Sequence, residues 1–225
     1  MSHQMFDQAA ADAYDDRFKK LAVFRDALQL VTRLALTELP SEARLLCVGA
    51  GTGAELLYLA EAFPGWHFTA VEPSEPMLER CKARCEAAGI SQRCTFHHGT
   101  TDTLDVGGSF DGATALLVSQ FLVDQAARTA FFEAIARRLK PNAPLVSADL
   151  SHAPGDALTE LWRRAWIYND TTSENVDRML ESIGQHVAVS PAEVVENHLT
   201  AAGFSAPTRC FQTLWIHGWL SRRNA

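Results

Sequence analysis

The sequence lacks an excess of basic residues. The chain of 225 residues has 20 lysines and arginines against 27 aspartates and glutamates, which gives a formal net charge of −7 at pH 7. A broad nucleic-acid surface needs clustered basic side chains to neutralise phosphate groups. The charge balance therefore argues against such a surface and favours a small-molecule substrate.

Long apolar segments are also missing. The first residues, MSHQMFDQ, show no basic region followed by an apolar core. No segment approaches the roughly 20 apolar residues that a membrane-spanning helix needs. We therefore predict a cytoplasmic protein that does not associate with membranes.

Paired-cysteine motifs are absent as well. The chain has five cysteines, an odd number, and none of them belongs to a C-x-x-C motif. We expect reduced thiols. Cys81 and Cys85 share a predicted helix face and precede Cys94, His97 and His98, but their spacing matches no zinc motif, so no metal is predicted.

What the sequence does contain is a regular alternation of strand-like and helix-like segments. The runs RLLCVG, HFTAVE, CTFHH, FDGATALLVS and APLVSADL read as strands, and amphipathic segments separate most of them. The ending TRCFQTLWIHGWLSRR reads as two further strands. This order predicts an α/β, Rossmann-like, doubly wound and mostly parallel seven-stranded sheet, with helices on both faces and a C-terminal antiparallel pair.

The domain organisation follows from the same pattern. A chain of this length with 47% hydrophobic residues can form one well-buried domain, predicted over residues 1–225. Residues 1–40 form an N-terminal helical segment, and residues from about 151 to 190, which carry no strand signal, form a helical cap or insertion. Ser190 to Glu193 fits a capping box that begins the next helix.

The segment Gly49-Ala50-Gly51-Thr52-Gly53-Ala54 fits the pattern G-x-G-x-x-G/A between the first strand and its helix. Glycines there let the backbone approach a ligand, and an acid at the end of the second strand, Glu72, can accept hydrogen bonds from a ribose diol. Nicotinamide cofactors and S-adenosylmethionine both carry that ribose. The pattern therefore predicts an adenosine ligand without choosing between them.

Several motifs together resemble those of class I S-adenosylmethionine-dependent methyltransferases. They are LLCVGAGTGAEL, FTAVEPSEPMLERC, TFHHGTTDTL, FDGATALLVSQFLVD and IARRLKPNAPLVSADL, in that order. The resemblance covers roughly residues 44–150 and implies a methyltransferase with S-adenosylmethionine as cofactor and S-adenosylhomocysteine as product.

The resemblance also implies a set of cofactor-binding positions. They are Gly49, Ala50, Gly51 and Gly53 for the methionine part, Glu72 for the ribose hydroxyls, Pro73 and Met77 beside the adenosine, Gly99, Thr100 and Thr101 around the adenine, Val118, Ser119 and Phe121 under the reacting methyl group, and Tyr14 closing over the cofactor. Met77 and Phe121 can equally be core residues.

The chain departs from the family pattern at three places. Cys47 stands where the motif commonly has an acid, which puts a contact to the cofactor's amino group in doubt. Thr100 follows Gly99 where an acid is common, so a hydroxyl or Asp102 is expected to substitute. Asn142-Ala143 replaces a glycine pair, a change that we attribute to turn chemistry.

The acceptor side is less clearly marked. In-line methyl transfer needs no enzyme nucleophile, but a hydroxyl or ammonium acceptor needs a base, for which His152, just past the fifth strand, is the candidate. Trp162, Arg163, Trp166 and Tyr168 in the predicted cap are candidate substrate-binding residues. Core packing of the two tryptophans and an exposed loop position for His152 are the alternatives.

Two alternatives to methyl transfer stay open, and one is disfavoured. The latter half distantly resembles carboxy-S-adenosylmethionine synthases, for which Arg178, Arg163 or Arg164 could hold the added carboxylate. A catalytically silent cofactor-binding protein is the other alternative. A nicotinamide enzyme of the short-chain type is disfavoured, because no tyrosine is followed four residues later by lysine.

The C-terminal aromatic residues Phe211, Trp215 and Trp219 recur at every fourth position. They fit one strand face packed in the core or an exposed surface for a homodimer. Core packing is the interpretation we adopt here, and a homodimer stays open.

Overall fold

Seven strands form a single sheet in the computed structural model, which describes residues 7–105, 110–152 and 157–225. The strands are β1 (Arg44–Val48), β2 (His67–Glu72), β3 (Cys94–His98), β4 (Gly112–Leu116), β5 (Pro144–Leu150), β6 (Thr208–Thr213) and β7 (Ile216–Arg222). Their order is β3-β2-β1-β4-β5-β7-β6. Neighbours from β3 to β5 are parallel, whereas β7 is antiparallel to both β5 and β6. The predicted doubly wound sheet with its antiparallel pair is confirmed.

Helices cover both faces of this sheet. They are α1 (Gln8–Arg17), α2 (Ala22–Ala35), α3 (Ala54–Ala62), α4 (Glu75–Ala87), α5 (Gln125–Ala136), α6 (Leu158–Tyr168), α7 (Ser173–Glu181) and α8 (Ala192–Ala201). Side-chain caps fix the start of three of the described helices: Ser74 accepts a hydrogen bond from the Met77 N–H at α4, Asp124 accepts one from the Ala127 N–H at α5, and Thr172 accepts one from the Asn175 N–H at α7. No helix among the described residues is long and apolar enough to cross a membrane.

The alternation of side chains along β1 divides the core between the two faces. Leu46 and Val48 pack with residues of α5 and α8, whereas Leu45 and Cys47 pack with residues of α3 and α4. All four side chains are buried. A strand buried on both faces explains the continuous apolar run in the sequence.

A third cluster lies where the helices after β5 meet the sheet. Trp162 and Trp166 of α6 and Val176 of α7 pack with Trp215 and Ile216, which begin the β7 side of the C-terminal hairpin. All five are buried. These contacts hold α6 and α7 against the carboxyl end of β5.

The structure contradicts one local prediction. Helix α8 begins at Ala192 with Pro191 as its N-cap and has no side-chain capping bond, so the capping box over residues 190–193 is wrong. The carbonyl of Ser190 instead accepts hydrogen bonds from the Ser151 hydroxyl, at 2.9 Å, and from the His152 N–H, at 3.1 Å. The approach to α8 is therefore tied to the end of β5 rather than to its own first turn.

Two other local predictions concern the turn before β5 and the C-terminal aromatic residues. Asn142 adopts a positive φ of 63°, a conformation that asparagine tolerates, which fits our attribution of the missing glycine pair to turn chemistry. Trp215 and Trp219 are 2% and 0% exposed, in agreement with core packing of these two residues, but the predicted single strand face is wrong, because Trp215 lies in the turn between β6 and β7 and Trp219 lies on β7. Phe211 lies on β6 and is partly buried.

Candidate functional site

The glycine turn joins β1 to α3 in a conformation that favours glycine. Gly49, Gly51 and Gly53 have φ values of 65°, 54° and 82°. A Cβ added to Gly49 would lie 2.5 Å from Cγ2 of Val118, and one added to Gly53 would lie 2.7 Å from Sγ of Cys81. A Cβ on Gly51 would meet nothing within 4 Å. Gly49 and Gly53 therefore permit close packing, whereas Gly51 leaves open space.

The turn is fixed to the neighbouring strand by backbone hydrogen bonds. The N–H groups of Gly49 and Ala50 both donate to the carbonyl of Val71 on β2, at 2.8 and 3.1 Å. The acid at the end of β2 is thereby brought beside the turn.

Glu72 is that acid, and its carboxylate is held by two backbone groups. One oxygen accepts a hydrogen bond from the Gly51 N–H and the other accepts one from the Ser74 N–H, both at 2.9 Å. Burial raises the pKa of Glu72, and these two N–H groups oppose the rise. Each carboxylate oxygen can accept a second hydrogen bond, so a positioned pair of acceptors remains for a diol.

A cavity of about 420 Å³ lies at the carboxyl ends of β1, β2 and β4 and beside the turn that follows β3. Most of the positions predicted to bind the cofactor line it. These are Tyr14, Gly49, Gly51, Glu72, Pro73, Met77, Gly99, Thr100, Thr101, Val118 and Phe121. Ligands in doubly wound sheets bind at this edge.

Three predicted positions do not line the cavity. Ala50 belongs to the core cluster on the α3 side, and Gly53 lies against Cys81. Ser119 is buried and donates a hydrogen bond from its hydroxyl to Asp149, at 2.7 Å. These three residues therefore lie behind the cavity wall.

Asp102 lines the cavity together with Thr100 and Thr101. A hydrogen bond from Thr100 lowers the pKa of Asp102. Both of the groups considered as substitutes for the missing acid after Gly99 are thus present at this end of the cavity.

One wall of the cavity, formed by helix α5, was not predicted from the sequence. Helix α5 presents Ala127, Ala130, Phe131, Ala134 and Arg137, the last just past its end, to the cavity. The spacing of these positions places them on one helix face, a signal that was readable in the sequence. The residue types, however, do not distinguish an alanine that faces a cavity from an alanine in the core.

The other lining residues that were missed come from strand ends and the segments after them. They are Val48, Val71, Ser74, Leu116, Leu117 and Leu122. Leu117 has a φ of 62°, which is uncommon for a leucine, and its N–H donates to the carbonyl of Ala148 at 2.7 Å. A branched side chain in this conformation marks a strained position in the cavity wall.

A buried polar network holds the segment after β4 in place. Asp149, 1% exposed, accepts hydrogen bonds from the Ser119 hydroxyl and from the Gln120 N–H, at 2.7 and 2.9 Å. Arg128, fully buried, donates to the Ser119 hydroxyl at 2.8 Å and lies 3.5 Å from Asp149. Burial raises the pKa of Asp149, and the Arg128 charge opposes the rise. The network fixes the backbone between Val118 and Phe121.

The predicted catalytic residue lies elsewhere in this structure. His152 is not among the residues that line the cavity. Its ring stacks on Trp215 with centroids 4.4 Å apart, and its Nε2 lies 2.9 Å from the Thr159 hydroxyl.

The predicted substrate-binding residues also lie outside the cavity. Trp162 and Trp166 are buried in the third cluster, Arg163 pairs with Asp177, and Tyr168 is 68% exposed beside the ammonium of Lys20. Arg178 is exposed and donates a hydrogen bond to Asn175. The structure thus brings most of the cofactor positions together, whereas the predicted acceptor positions lie outside this cavity on α6 and α7, where Trp166 and Arg178 line a second pocket.

A chain of aromatic contacts nevertheless connects the cavity to these outer residues. We call it the aromatic ladder: Tyr14, Phe18, Trp166, Trp162, Trp215 and His152, with successive ring centroids 5.2, 5.6, 5.8, 5.3 and 4.4 Å apart. Its first member lines the cavity and its last member is the predicted base.

Among the described residues, no group of three or more His, Cys, Asp or Glu side chains could hold a metal ion. The five cysteines are all free thiols.

The chain is similar to known proteins in sequence and in fold. Residues 45–142 match the family described as Methyltransferase domain. A curated relative, the carboxy-S-adenosyl-L-methionine synthase of Aeromonas salmonicida, is 24% identical over 221 residues, which cover 94% of this chain and 85% of that protein.

Two solved structures illustrate the similarity in fold. An O-methyltransferase family protein from Burkholderia thailandensis superposes with a TM-score of 0.72 at 13% identity, over 97% of this chain and 61% of the other. An S-adenosylmethionine-dependent methyltransferase from Methanosarcina mazei superposes with a TM-score of 0.61 at 16% identity, over 84% and 95%. At these identities the structural matches establish a shared fold.

The sequence match and the sheet order agree with each other, because the matched residues run from β1 to the turn before β5. The predicted enzyme class, a methyltransferase with S-adenosylmethionine as cofactor, is supported by the methyltransferase domain that matches residues 45–142 and by the curated relative.

Proposed function

We propose that this protein transfers the methyl group of S-adenosylmethionine to a small-molecule acceptor by in-line displacement. The observation that carries the proposal is the cavity beside the glycine turn, with the Glu72 carboxylate oriented by two backbone N–H groups. The cofactor supplies a methyl group on a cationic sulfur, so the protein needs to bind, align and exclude water.

The residues of the cavity divide this work. Gly49 and Gly51 leave room for the methionine part, and Glu72 accepts hydrogen bonds from the ribose hydroxyls. Pro73 and Met77 border the adenosine. The apolar side chains of Val118 and Phe121 exclude water on the side where the acceptor approaches. Each of these assignments is a proposal supported by the position of the residue in the cavity.

The small-molecule nature of the acceptor is supported by charge and by shape. The net charge of −7 disfavours a nucleic-acid surface, and the cavity is lined on one side by apolar side chains from α5 and from the segment after β4. Apolar pockets with few polar groups are typical of small-molecule sites.

The first experiment identifies what the protein carries. The protein is purified without added ligand, and native mass spectrometry followed by denaturing extraction measures the bound small molecule. We expect S-adenosylmethionine or S-adenosylhomocysteine. A nicotinamide dinucleotide would overturn the proposal. If the protein is empty, titration with S-adenosylhomocysteine decides, and failure to bind would count against the site.

Carboxy transfer is the second candidate, because the curated relative is a carboxy-S-adenosyl-L-methionine synthase that aligns with nearly the whole chain. It requires a cation for the added carboxylate. Arg178 is predicted for that role, with Arg163 and Arg164 as alternatives, and its contacts in the structure are with Asn175 and Glu174, away from the cavity beside the glycine turn.

The same extraction separates the two candidates. The carboxylated cofactor would move carboxy transfer to first place. In that case Arg178→Ala should reduce retention of the carboxylated cofactor while leaving S-adenosylhomocysteine affinity unchanged, with Arg33→Ala, an exposed arginine of α2, as the matched control. Equal retention by both variants would exclude Arg178 as the carboxylate-binding residue.

A further inference from the structure

A carboxyl group that the mechanism has not used lies close to the glycine turn. Glu55 is in the first turn of α3, two residues past Gly53. Its carboxylate accepts a hydrogen bond from the Thr114 hydroxyl on β4 and interacts with the Cys47 thiol on β1. Cys47 and Thr114 are neighbours across the β1–β4 pair, and both are fully buried.

The two strands that Glu55 contacts lead directly into the cavity. Val48 and Gly49 follow Cys47 on β1 and line it, and Leu116 lies two residues beyond Thr114 on β4 and lines it too. The carboxyl group therefore lies at the base of the turn and behind the cavity wall, because Glu55 itself is not among the residues that line the cavity.

Among the described residues, no cation lies beside this carboxyl group. Within the described part of the chain no lysine, arginine or histidine forms an ion pair with Glu55, either from its own helix or from α2, α4, β1 or β4. Its titratable neighbour is the Cys47 thiol, whose own pKa is raised by burial. The buried Asp149, in contrast, has Arg128 beside it.

An uncompensated carboxylate in a partly buried position is costly, because desolvation disfavours its charged form. Burial raises the pKa of Glu55 to about 7, although the hydrogen bonds with Thr114 and Cys47 oppose the rise. A ligand cation bound nearby would supply the missing countercharge.

The sequence provides a second, independent reason to look here. Cys47 occupies the position where methyltransferases of this class commonly have an acid. In this chain Glu55 brings a carboxyl group to the same place from the following helix. The carboxyl group is thus supplied by α3 and not by β1.

We propose that Glu55 provides the negative charge for the ammonium group of the cofactor's methionine part, and that binding of the cofactor releases the proton of Glu55 to solvent. The proposal rests on the proposed position of that part over Gly49 and Gly51. Glu55 acts through charge and position, and takes no part in breaking or forming the bonds to the methyl group.

Calorimetric titration tests the proton release. S-adenosylhomocysteine is titrated into the wild-type protein, Glu55→Gln and the control Glu61→Gln, an exposed acid near the end of the same helix, in buffers of different ionisation enthalpy. The titrations are made at pH 6, where the ligand's α-amino group, with a pKa of about 8, is already protonated. We expect the wild type and Glu61→Gln to release more protons than Glu55→Gln by between about 0.5 and 1 per site.

A second ligand tests which part of the cofactor is involved. At pH 8 Glu55→Gln should bind S-adenosylhomocysteine about tenfold more weakly than the wild type, because a nearby opposite charge is lost. Methylthioadenosine, which lacks the amino-acid part, should bind both proteins equally. The double substitution Cys47→Asp with Glu55→Gln, which returns the acid to the strand, should recover part of the lost affinity.

The outcomes separate this proposal from the cofactor site itself. If the wild type binds S-adenosylhomocysteine but Glu55→Gln releases as many protons and binds as tightly, Glu55 has no such role and the cofactor site stands. Equal weakening for methylthioadenosine also overturns the proposal, because the effect then lies outside the amino-acid part. A wild-type protein that binds neither compound overturns the cofactor site and this proposal together.

Discussion

The region from β1 to β5 and the helical segment after β5 are held together by different kinds of interaction. Around the cavity, buried polar groups are fixed by short hydrogen bonds, as in the contacts of Glu72 and of Asp149. In α6 and α7, buried contacts are aromatic or aliphatic, and the charged side chains pair at the surface. The first region forms the walls of the cavity, and the second consists of helices that pack through contacts with residues far away in the sequence.

The largest expected effect distinguishes a buried charge pair from a surface one. Asp149→Asn leaves the fully buried Arg128 without its countercharge, and we expect a loss of about 3–5 kcal/mol in the free energy of unfolding. Asp177→Asn, which removes the exposed partner of Arg163 in the second region, is the control and should leave stability unchanged within error. Urea unfolding of both variants measures the difference. Equal stability of the two would show that the buried network does not stabilise the first region.

The next effect concerns binding by the first region. Glu72→Ala removes the carboxylate that faces the cavity, and we expect cofactor affinity to fall roughly 10- to 150-fold, equivalent to about 1.5–3 kcal/mol. Glu75→Ala, an exposed acid in the first turn of α4, should bind like the wild type. Calorimetry gives the dissociation constants, and thermal unfolding confirms that the variants are folded. Unchanged affinity in folded Glu72→Ala contradicts the ribose assignment.

The pH dependence of stability, measured without ligand, tests the role of Glu55 in the first region. The folded-state pKa of Glu55, about 7, exceeds its ordinary value of 4.5, so the folded protein keeps a proton that the unfolded chain loses first. The stability that this proton contributes is present below pH 4.5 and is lost as the pH rises to about 7.

Relative to the wild type, Glu55→Gln should therefore gain about 1–3 kcal/mol of stability between pH 4.5 and pH 8, the range reflecting the partial exposure of Glu55. Denaturant unfolding at several pH values measures this gain, and Glu61→Gln provides the baseline. A constant difference between wild type and Glu55→Gln across the series would mean that Glu55 does not titrate in this range.

The smallest effect compares one glycine from each region. Gly51 and Gly184 both have positive φ, and a Cβ on either would meet nothing within 4 Å. Alanine at each position should cost about 1–2 kcal/mol of stability from backbone strain alone. Only Gly51→Ala should also weaken cofactor binding, because Gly51 lines the cavity. If Gly184→Ala weakens binding to the same extent, the two regions are coupled more tightly than their contacts indicate.

These differences also explain what the sequence could predict. The glycine turn was readable because positive φ and close packing restrict the residue type locally, and Glu72 was readable because it ends a strand. The helical segment after β5 could not be predicted in this way. Whether Trp162 faces a ligand or the core depends on Trp215, more than 50 positions later in the chain, and no local pattern records that contact.

Two features of the site were harder to predict from the sequence than the glycine turn. The spacing from Ala127 to Arg137 indicates a single helix face, but an alanine at a cavity wall has the same sequence signature as one in the core. Glu55 was missed because its importance depends on Cys47 and Thr114, which reach it from two neighbouring strands. Such three-element contacts appear only after the sheet order is known.

The aromatic ladder gives the molecule a built-in optical reporter. Three of the five tryptophans belong to it, and its first ring, Tyr14, lines the cavity. Indole emission depends on the polarity and the ring contacts around it, so a ligand that shifts Tyr14 and Phe18 should change the emission of Trp166 and then of its neighbours. Occupancy of the cavity could thus be followed by light, without a label, through rings that do not line the cavity themselves.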